Sequence, residues 1–302
     1  MTSSEQWSWK GAFARNRGLI SESEQERLSL ATVAIAGAGG VGGSHALTLA
    51  RQGVGGFHLA DSDTFSISNL NRQAGARVST MGRNKAEEIA AQIRDINPAA
   101  RIELWRENIG PLNIGAFLDG TDVVLDGVDF FAFGARRLLF SQARARGLWA
   151  LTTAPLGFSV ALLAFDPDGM AFERYCGFEP GMSQADEIVA FLAALAPFHT
   201  HAGYIDYGRA DVGARTGPSS IIACQLCSSV IAMETISLLL GRRAPAAAPQ
   251  VMQFDPYQRV YRQGTIWGGG RNLLQGVKRW VIRRKLEALG VFAQTQAHGS
   301  TS

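Results

Sequence analysis

Cysteine is scarce in this sequence: Cys176, Cys224 and Cys227 are the only three. Three thiols cannot all pair with one another. A disulfide framework is therefore excluded, and a reducing compartment is the simpler setting. Charge is also sparse and nearly balanced. Asp, Glu, Lys and Arg together make up 18% of the chain, with a net charge of +3. That excludes a charge-dominated disordered chain, and it gives no sign of nucleic-acid binding from composition alone. Met1 to Lys10 holds no apolar run, so no secretion signal is read there. One long apolar run stands out, from Ile221 to Leu240, and it contains Gln225, Glu234 and several Ser and Thr residues. A glutamate at the centre of a bilayer costs several kcal/mol without a partner. A buried core helix is therefore expected there, with no transmembrane segment, and the protein is expected in the cytoplasm.

What is present is a regular alternation. Apolar residues make up 46% of 302, enough for a substantial core. Ser21 and Glu24 form a capping box in a helix over 18–30. Thr32 to Ala36 reads as a strand, followed by a glycine-rich turn, a helix from about Ser44 to Gln52 and a strand over Phe57 to Ala60. This strand, helix, strand unit implies a parallel sheet. A helix over Lys85 to Asn97 stops at Pro98. Strands at Arg101 to Trp105, Val123 to Leu125 and Trp149 to Thr153 follow, with a basic helix at 134–146. Later segments read as a strand over Val160 to Phe165, helices at 184–196 and 221–240, a loop at 199–219, and strands Gln250 to Phe254 and Arg259 to Tyr261 paired around Asp255-Pro256. The predicted fold is α/β: a Rossmann-like, doubly wound, mostly parallel sheet with a C-terminal antiparallel and helical extension. The predicted organisation is an N-terminal helical arm over 1–30, the nucleotide-binding domain over 31–243, and an extension over 244–302 that begins with an Ala/Pro spacer.

The chemistry starts at Gly37-Ala38-Gly39-Gly40-Val41-Gly42, which fits G-x-G-x-x-G. In that pattern the first glycine permits a tight turn, the second lets the backbone approach phosphate, and the third allows close helix–strand packing. Free N–H groups at the following helix N-terminus favour an anion. Asp61 ends the next strand, where an acid can accept both ribose hydroxyls. A ligand-free turn and an NAD(P)-binding oxidoreductase both remain open at this point. The residues that follow separate the readings. Asp63, Asn69, Arg72, Gln73 and Lys85 come after the ribose acid, and Asp129 lies just past the fourth strand. A nicotinamide site needs no such arginine and lysine. A triphosphate of charge about −4 does, because a leaving pyrophosphate must be stabilised. Arg72 can fork onto phosphate oxygens, Lys85 adds a point charge, Asn69 can donate a neutral hydrogen bond, and Asp129 can hold Mg²⁺ through oxygen. Each taken singly reads as a solvated surface side chain; the set in this order is specific.

The run Gly37–Gly42, Asp61-x-Asp63, Ser68-Asn69-Leu70-x-Arg72-Gln73, Gly82-x-x-Lys85 and Asp126-x-x-Asp129 closely resembles the ThiF/MoeB family, relatives of ubiquitin-activating enzymes. The resemblance is strong over roughly residues 15–130 and weaker to about 241. It implies ATP-dependent adenylylation of a carboxylate, with a ubiquitin-like or sulfur-carrier protein tail or a peptide C-terminus as substrate. One branch of the family instead acts on the carboxylate of a modified tRNA base as an ATP-dependent dehydratase. The resemblance assigns Asp61 to ribose, Asn69, Arg72, Gln73 and Lys85 to the phosphates, and Asp129 to Mg²⁺. It also implies a homodimer in which Arg17 reaches the partner's ATP; the plainer reading of Arg17 is a surface arginine. A non-catalytic scaffold that keeps the fold is a further competing class.

The sequence also departs from that family. Many relatives bind structural zinc with two C-x-x-C pairs, whereas here only Cys224 and Cys227 form one, inside an apolar helix. Zinc wants four ligands, and nothing fixes His199 or His201 as the others, so structural zinc is not expected. The loop Asp211 to Pro218 lacks the cysteine that some relatives use for acyl or persulfide chemistry. Cys176 reads as a packing residue. Phe130 stands where the family has Asn after the metal acid. Leu273 to Leu289 reads as a basic amphipathic helix, expected to dock by its apolar side and leave its cations solvated. An anionic membrane surface, RNA or an acidic protein are the sharper readings of that helix.

Overall fold

The computed structural model describes residues 6–292, apart from 212, 213 and 215. Val212, Gly213 and Arg215 of the cysteine-free loop therefore lie outside the described residues, as do the outermost parts of the arm and the extension. The chain opens with α1 (Trp9–Ala12) and α2 (Glu22–Leu30). Ser21 caps α2: its hydroxyl accepts the Glu24 N–H at 3.2 Å, and the Glu24 carboxylate accepts the Ser21 N–H at 2.7 Å. The alternating unit then runs β1 (Thr32–Ala36), α3 (Gly40–Gln52), β2 (Gly56–Ala60), α4 (Lys85–Ile96), β3 (Arg101–Trp105), α5 (Ile114–Leu118), β4 (Val123–Asp126), α6 (Phe133–Ala145) and β5 (Trp149–Leu156). Beyond it come β6 (Ser159–Phe165), α7 (Phe172–Cys176), α8 (Gln184–Leu195), α9 (Ile221–Leu239), β7 (Gln250–Asp255), β8 (Val260–Thr265) and α10 (Leu273–Ala288).

The eight strands form one sheet in the order β3-β2-β1-β4-β5-β6-β7-β8. The first five are mutually parallel, and β6, β7 and β8 join antiparallel. The C-terminal hairpin is thus hydrogen-bonded into the same sheet through β6. Alternation along the strands sends side chains to two cores. Val33 and Ile35 pack with Leu49, Ile89 and Ile231 on one face; Ala34 and Ala36 pack with Phe117, Leu139 and Phe191 on the other. With helices covering both faces, the parallel strands read as apolar runs. From β1 the chain winds one way through β2 and β3, then returns to place β4 and β5 on the other side. The carboxyl ends of β1 and β4 therefore frame a switch-point crevice, where α/β sheets bind ligands.

The helix α3 starts at Gly40 rather than near Ser44, and Gly53 closes it in the left-handed conformation at φ 91°. The short helices α1, α5 and α7 were not expected, because four or five residues are too few for a helical period to register. Ile221–Leu239 is long and apolar enough to cross a membrane. Here it packs on α3, β5 and β6, with Cys227, Ile231 and Thr235 fully buried. Its Glu234 pairs with Arg243 at 2.7 Å.

Candidate active site

The glycines of the first turn divide into two groups. Gly37 has φ 92°, and a Cβ on it would lie 2.1 Å from the Gly127 carbonyl oxygen. A Cβ on Gly42 would lie 1.8 Å from the Gly37 carbonyl oxygen. These two let the turn after β1 close against the turn after β4 and against α3. Gly39 has no such neighbour: the nearest atom to its Cβ position is Gln73 Nε2 at 3.6 Å. Gly39 and Gly40 instead border an open cleft of about 620 Å³, inside the roughly 300–1,000 Å³ usual for small-molecule sites.

The other walls come from loops that the strands position. Asp61, at the end of β2, accepts N–H groups from Ala38 at 2.7 Å and from Asp63 at 2.8 Å. Burial raises its carboxyl pKa, while these two N–H groups and the charge of Lys85 oppose the rise. Asn84 caps α4, accepting the Glu87 N–H, and its amide donates to the Asp61 and Asp63 carbonyls at 2.9 and 3.3 Å. That cap fixes Lys85 at the first turn of α4. Lys85 is only 7% exposed, and its Nζ lies 2.8 Å from Asp63 Oδ2. Arg72 is held by the Ser68 carbonyl at 2.8 Å and the Asn71 side chain at 3.1 Å, and Asn71 in turn donates to the Ser219 carbonyl. Gln73 is buried beside the glycine turn, and its Oε1 has no partner.

The fourth wall is the loop after β4. The Asp129 carboxylate accepts the Phe131 N–H at 2.9 Å and borders the cleft. The loop is organised by a residue the sequence pattern did not single out. Arg136 on α6 is 4% exposed, and its Nε lies 2.7 Å from Asp126 Oδ2. Its other nitrogens donate to the carbonyls of Phe130, Val128 and Asp129 at 3.1, 2.6 and 3.2 Å. The signal was present: Arg136 shares the helical stripe of Phe133, Phe140 and Ala143, where an apolar residue belongs.

Gly37, Gly39, Gly40, Asp61, Asp63, Arg72, Gln73, Lys85 and Asp129 thus line one cleft. Gly42 supports it from behind. Asn69 is buried away from it, its Oδ1 accepting the Ser66 N–H at 3.0 Å. Arg17 borders a separate hollow near Trp9 and Phe13 and lies 3.6 Å from Glu22. Cys224 reaches the cleft wall, but burial pushes its thiol up to about 11, which disfavours a thiolate. Cys176 and Cys227 are buried thiols raised further by the same cause. Among the described residues no group of three or more His, Cys, Asp or Glu could hold a metal ion.

Behind the cleft, His45 Nδ1 lies 2.9 Å from Ser228 Oγ, and its Nε2 lies 3.3 Å from the hydroxyl of the cleft residue Thr153. Burial holds the imidazole neutral, its pKa lowered to about 3. The unfolded value is about 6.5. Between these values the unfolded chain binds the extra proton, so stability is fully present above the unfolded value and falls as pH drops through this window. His45→Gln removes that titration while keeping polar contact. Thermal unfolding midpoints measured from pH 7 to 5 are expected to fall less steeply in the variant; parallel slopes would show that His45 carries none of the acid sensitivity.

Comparison with known proteins agrees with this architecture. The tRNA threonylcarbamoyladenosine dehydratase of Bacillus subtilis is 38% identical over 122 residues, covering 40% of this chain and 48% of that protein. The probable adenylyltransferase/sulfurtransferase MoeZ of Mycobacterium tuberculosis is 40% identical over 108 residues, covering 36% of this chain and 28% of that protein. The chain therefore spans about half or less of the length of these two relatives. The crystal structure of E. coli MccB with MccA superposes with a TM-score of 0.66 at 15% identity, covering 89% of this chain and 75% of that one, a likeness of fold. The sequence model of the ThiF family matches residues 13–266, and the chain belongs to that family.

Proposed function

We propose that this chain uses ATP to adenylylate a carboxylate, releasing pyrophosphate. One observation carries the reading: Asp61, Arg72, Gln73, Lys85 and Asp129, from separate stretches of sequence, border one cleft with Gly39 and Gly40. Asp61, fixed by two N–H groups, would accept the ribose hydroxyls. The first turn of α3 would receive phosphate oxygens at its free N–H groups. Arg72 and Lys85 would take up the charge that develops on the departing pyrophosphate. Asp129 would bring a carboxylate to the same cleft, a donor that suits Mg²⁺ shared with phosphate and water; the ion would neutralise phosphate charge there. The substrate carboxylate is already ionised near pH 7, so positioning and charge stabilisation suffice without a general base. In the homodimer that the family implies, Arg17 would add a charge from the partner.

The acyl substrate in this reading is a protein or peptide C-terminus. The carboxylate of a modified tRNA base is the second reading, favoured by the 38% identity to the Bacillus subtilis dehydratase. ATP–pyrophosphate exchange separates the two when assayed with ubiquitin-like carrier proteins, free peptides and carboxylate-bearing tRNA. Exchange that depends on one of these substrates is the expected result. Tight NADH binding with no ATP binding would overturn the proposal in favour of an oxidoreductase. A folded protein that turns over no ATP with any of them would mark a scaffold.

A further inference from the structure

The helix α10 docks with its polarity reversed. Three of its five cations turn toward the protein: Lys278 Nζ donates to the Pro197 carbonyl at 3.1 Å, Arg279 donates to the Gly177 carbonyl at 3.4 Å, and Arg283 pairs with Asp186, while Arg284 and Lys285 stay exposed. Its apolar side chains other than Ile282 and Leu286 turn outward. Leu273 is 91% exposed, Val277 and Trp280 are each 61% exposed, and Val281 is 51% exposed. Positions 273, 277, 280, 281 and 284 fall on one helical face. Trp267, just before the helix, extends the strip at 79% exposure. The sequence led to the opposite expectation, an apolar side docked and a basic side in water. The core reached by α10 offers room for little more than Ile282 and Leu286, while α8 and the loops around it offer carbonyls and carboxylates. The cations take those partners, and the aliphatic side chains are left outside. A contiguous apolar strip of this kind is uncommon on a monomer surface without an occupant.

We infer that this face lies on an anionic lipid surface, with α10 in the plane of the interface. The charge distribution selects that occupant. Of the six cations between Arg271 and Ala288, Arg271 and Arg283 are paired with Glu179, Asp186 and Glu287, Lys278 and Arg279 meet only uncharged carbonyls, and Arg284 and Lys285 remain exposed. Arg284 sits in the apolar strip with its guanidinium 5.5 Å from the centre of the Trp280 ring, and the exposed Lys285 flanks it. An apolar strip carrying tryptophan with a cationic border is the arrangement that beds into the headgroup and acyl boundary. A second copy of this chain fits less well, because a two-fold pairing through α10 sets one basic border against another. RNA would use the cations but would have no use for Leu273, Val277 and Val281.

The test is co-sedimentation of the full chain with vesicles of phosphatidylcholine alone or with phosphatidylglycerol added. Binding to the anionic vesicles is expected, at least about tenfold tighter than to the neutral ones and weakened by salt. Val277→Asp with Trp280→Asp, both at exposed positions, should reduce vesicle binding at least tenfold and leave the thermal unfolding midpoint and the ATP–pyrophosphate exchange unchanged. The inference fails if anionic vesicles do not pellet the protein, or if the double variant pellets as well as the parent. It also fails if the double variant loses self-association or RNA binding with no change in lipid binding.

Discussion

Replacing Lys85 by alanine is expected to lower substrate-dependent ATP–pyrophosphate exchange by at least about tenfold, equivalent to roughly 1.4 kcal/mol of lost transition-state stabilisation. The size follows from where the ammonium sits. Lys85 is buried at the first turn of α4, and the Asn84 cap ties that turn to the Asp61 and Asp63 carbonyls. Alanine removes the charge and leaves the helix start intact, because the cap belongs to Asn84. The loss should fall mainly on the rate, since charge accumulates as pyrophosphate departs. Asp129→Ala is expected to lose at least as much as about tenfold by the same conversion. Asp63→Asn serves as the contrast: it removes the carboxylate that holds Lys85 Nζ at 2.8 Å but leaves the cation in the cleft, so its effect should be smaller. Near-wild-type exchange in both Lys85→Ala and Asp129→Ala, with a substrate that supports exchange in the parent, refutes their assigned roles.

The sheet and the first half of the cleft were legible because they are local in sequence. Thr32–Ala36 and Arg101–Trp105 occur with the predicted bounds: the first is a short apolar run bounded by turns, the second alternates apolar and charged residues as a half-exposed edge strand does. The glycine turn, Asp61 and Lys85 fall within about fifty residues of one another, so their order alone suggested a common site. Contacts that depend on packing were not legible. Asp126 and Arg136 are only ten residues apart, but one ends a strand and the other lies inside a helix, so no single period pairs them, and the fold of α6 back over β4 brings them together. His45 reads as an ordinary helix residue until α9 returns from distant sequence to place Ser228 beside it. The orientation of α10 differs from the sequence expectation for a related reason. Amphipathicity identifies two faces of a helix, but the partners offered by the docking surface decide which face turns inward.

Arg136→Ala is expected to destabilise the protein by about 3–5 kcal/mol, the range for removing one partner of a buried ion pair. Asp126 is only 2% exposed at the inner wall of the cleft, and the Val128 N–H at 3.0 Å would stay bonded to it, so the stranded carboxylate would lose its compensating charge while remaining largely desolvated. The arginine does more than neutralise it. Three backbone carbonyls of the Val128–Phe130 segment accept from the same guanidinium, and this is the segment that sets the direction of the Asp129 side chain. The two roles can be separated. Combining Arg136→Met with Asp126→Asn removes both charges while keeping an acceptor for the Val128 N–H, and replacing a buried pair by neutral groups is often nearly neutral for stability. Urea unfolding should therefore show most of the loss recovered in the double variant. Exchange activity should stay well below that of the parent, because the Val128 and Phe130 carbonyls lose the guanidinium and Asp129 keeps the Ala132 and Phe131 N–H groups but loses Arg136, so the loop is less firmly set over the cleft. Recovery of exchange together with stability would make Arg136 a charge partner for Asp126 and nothing more.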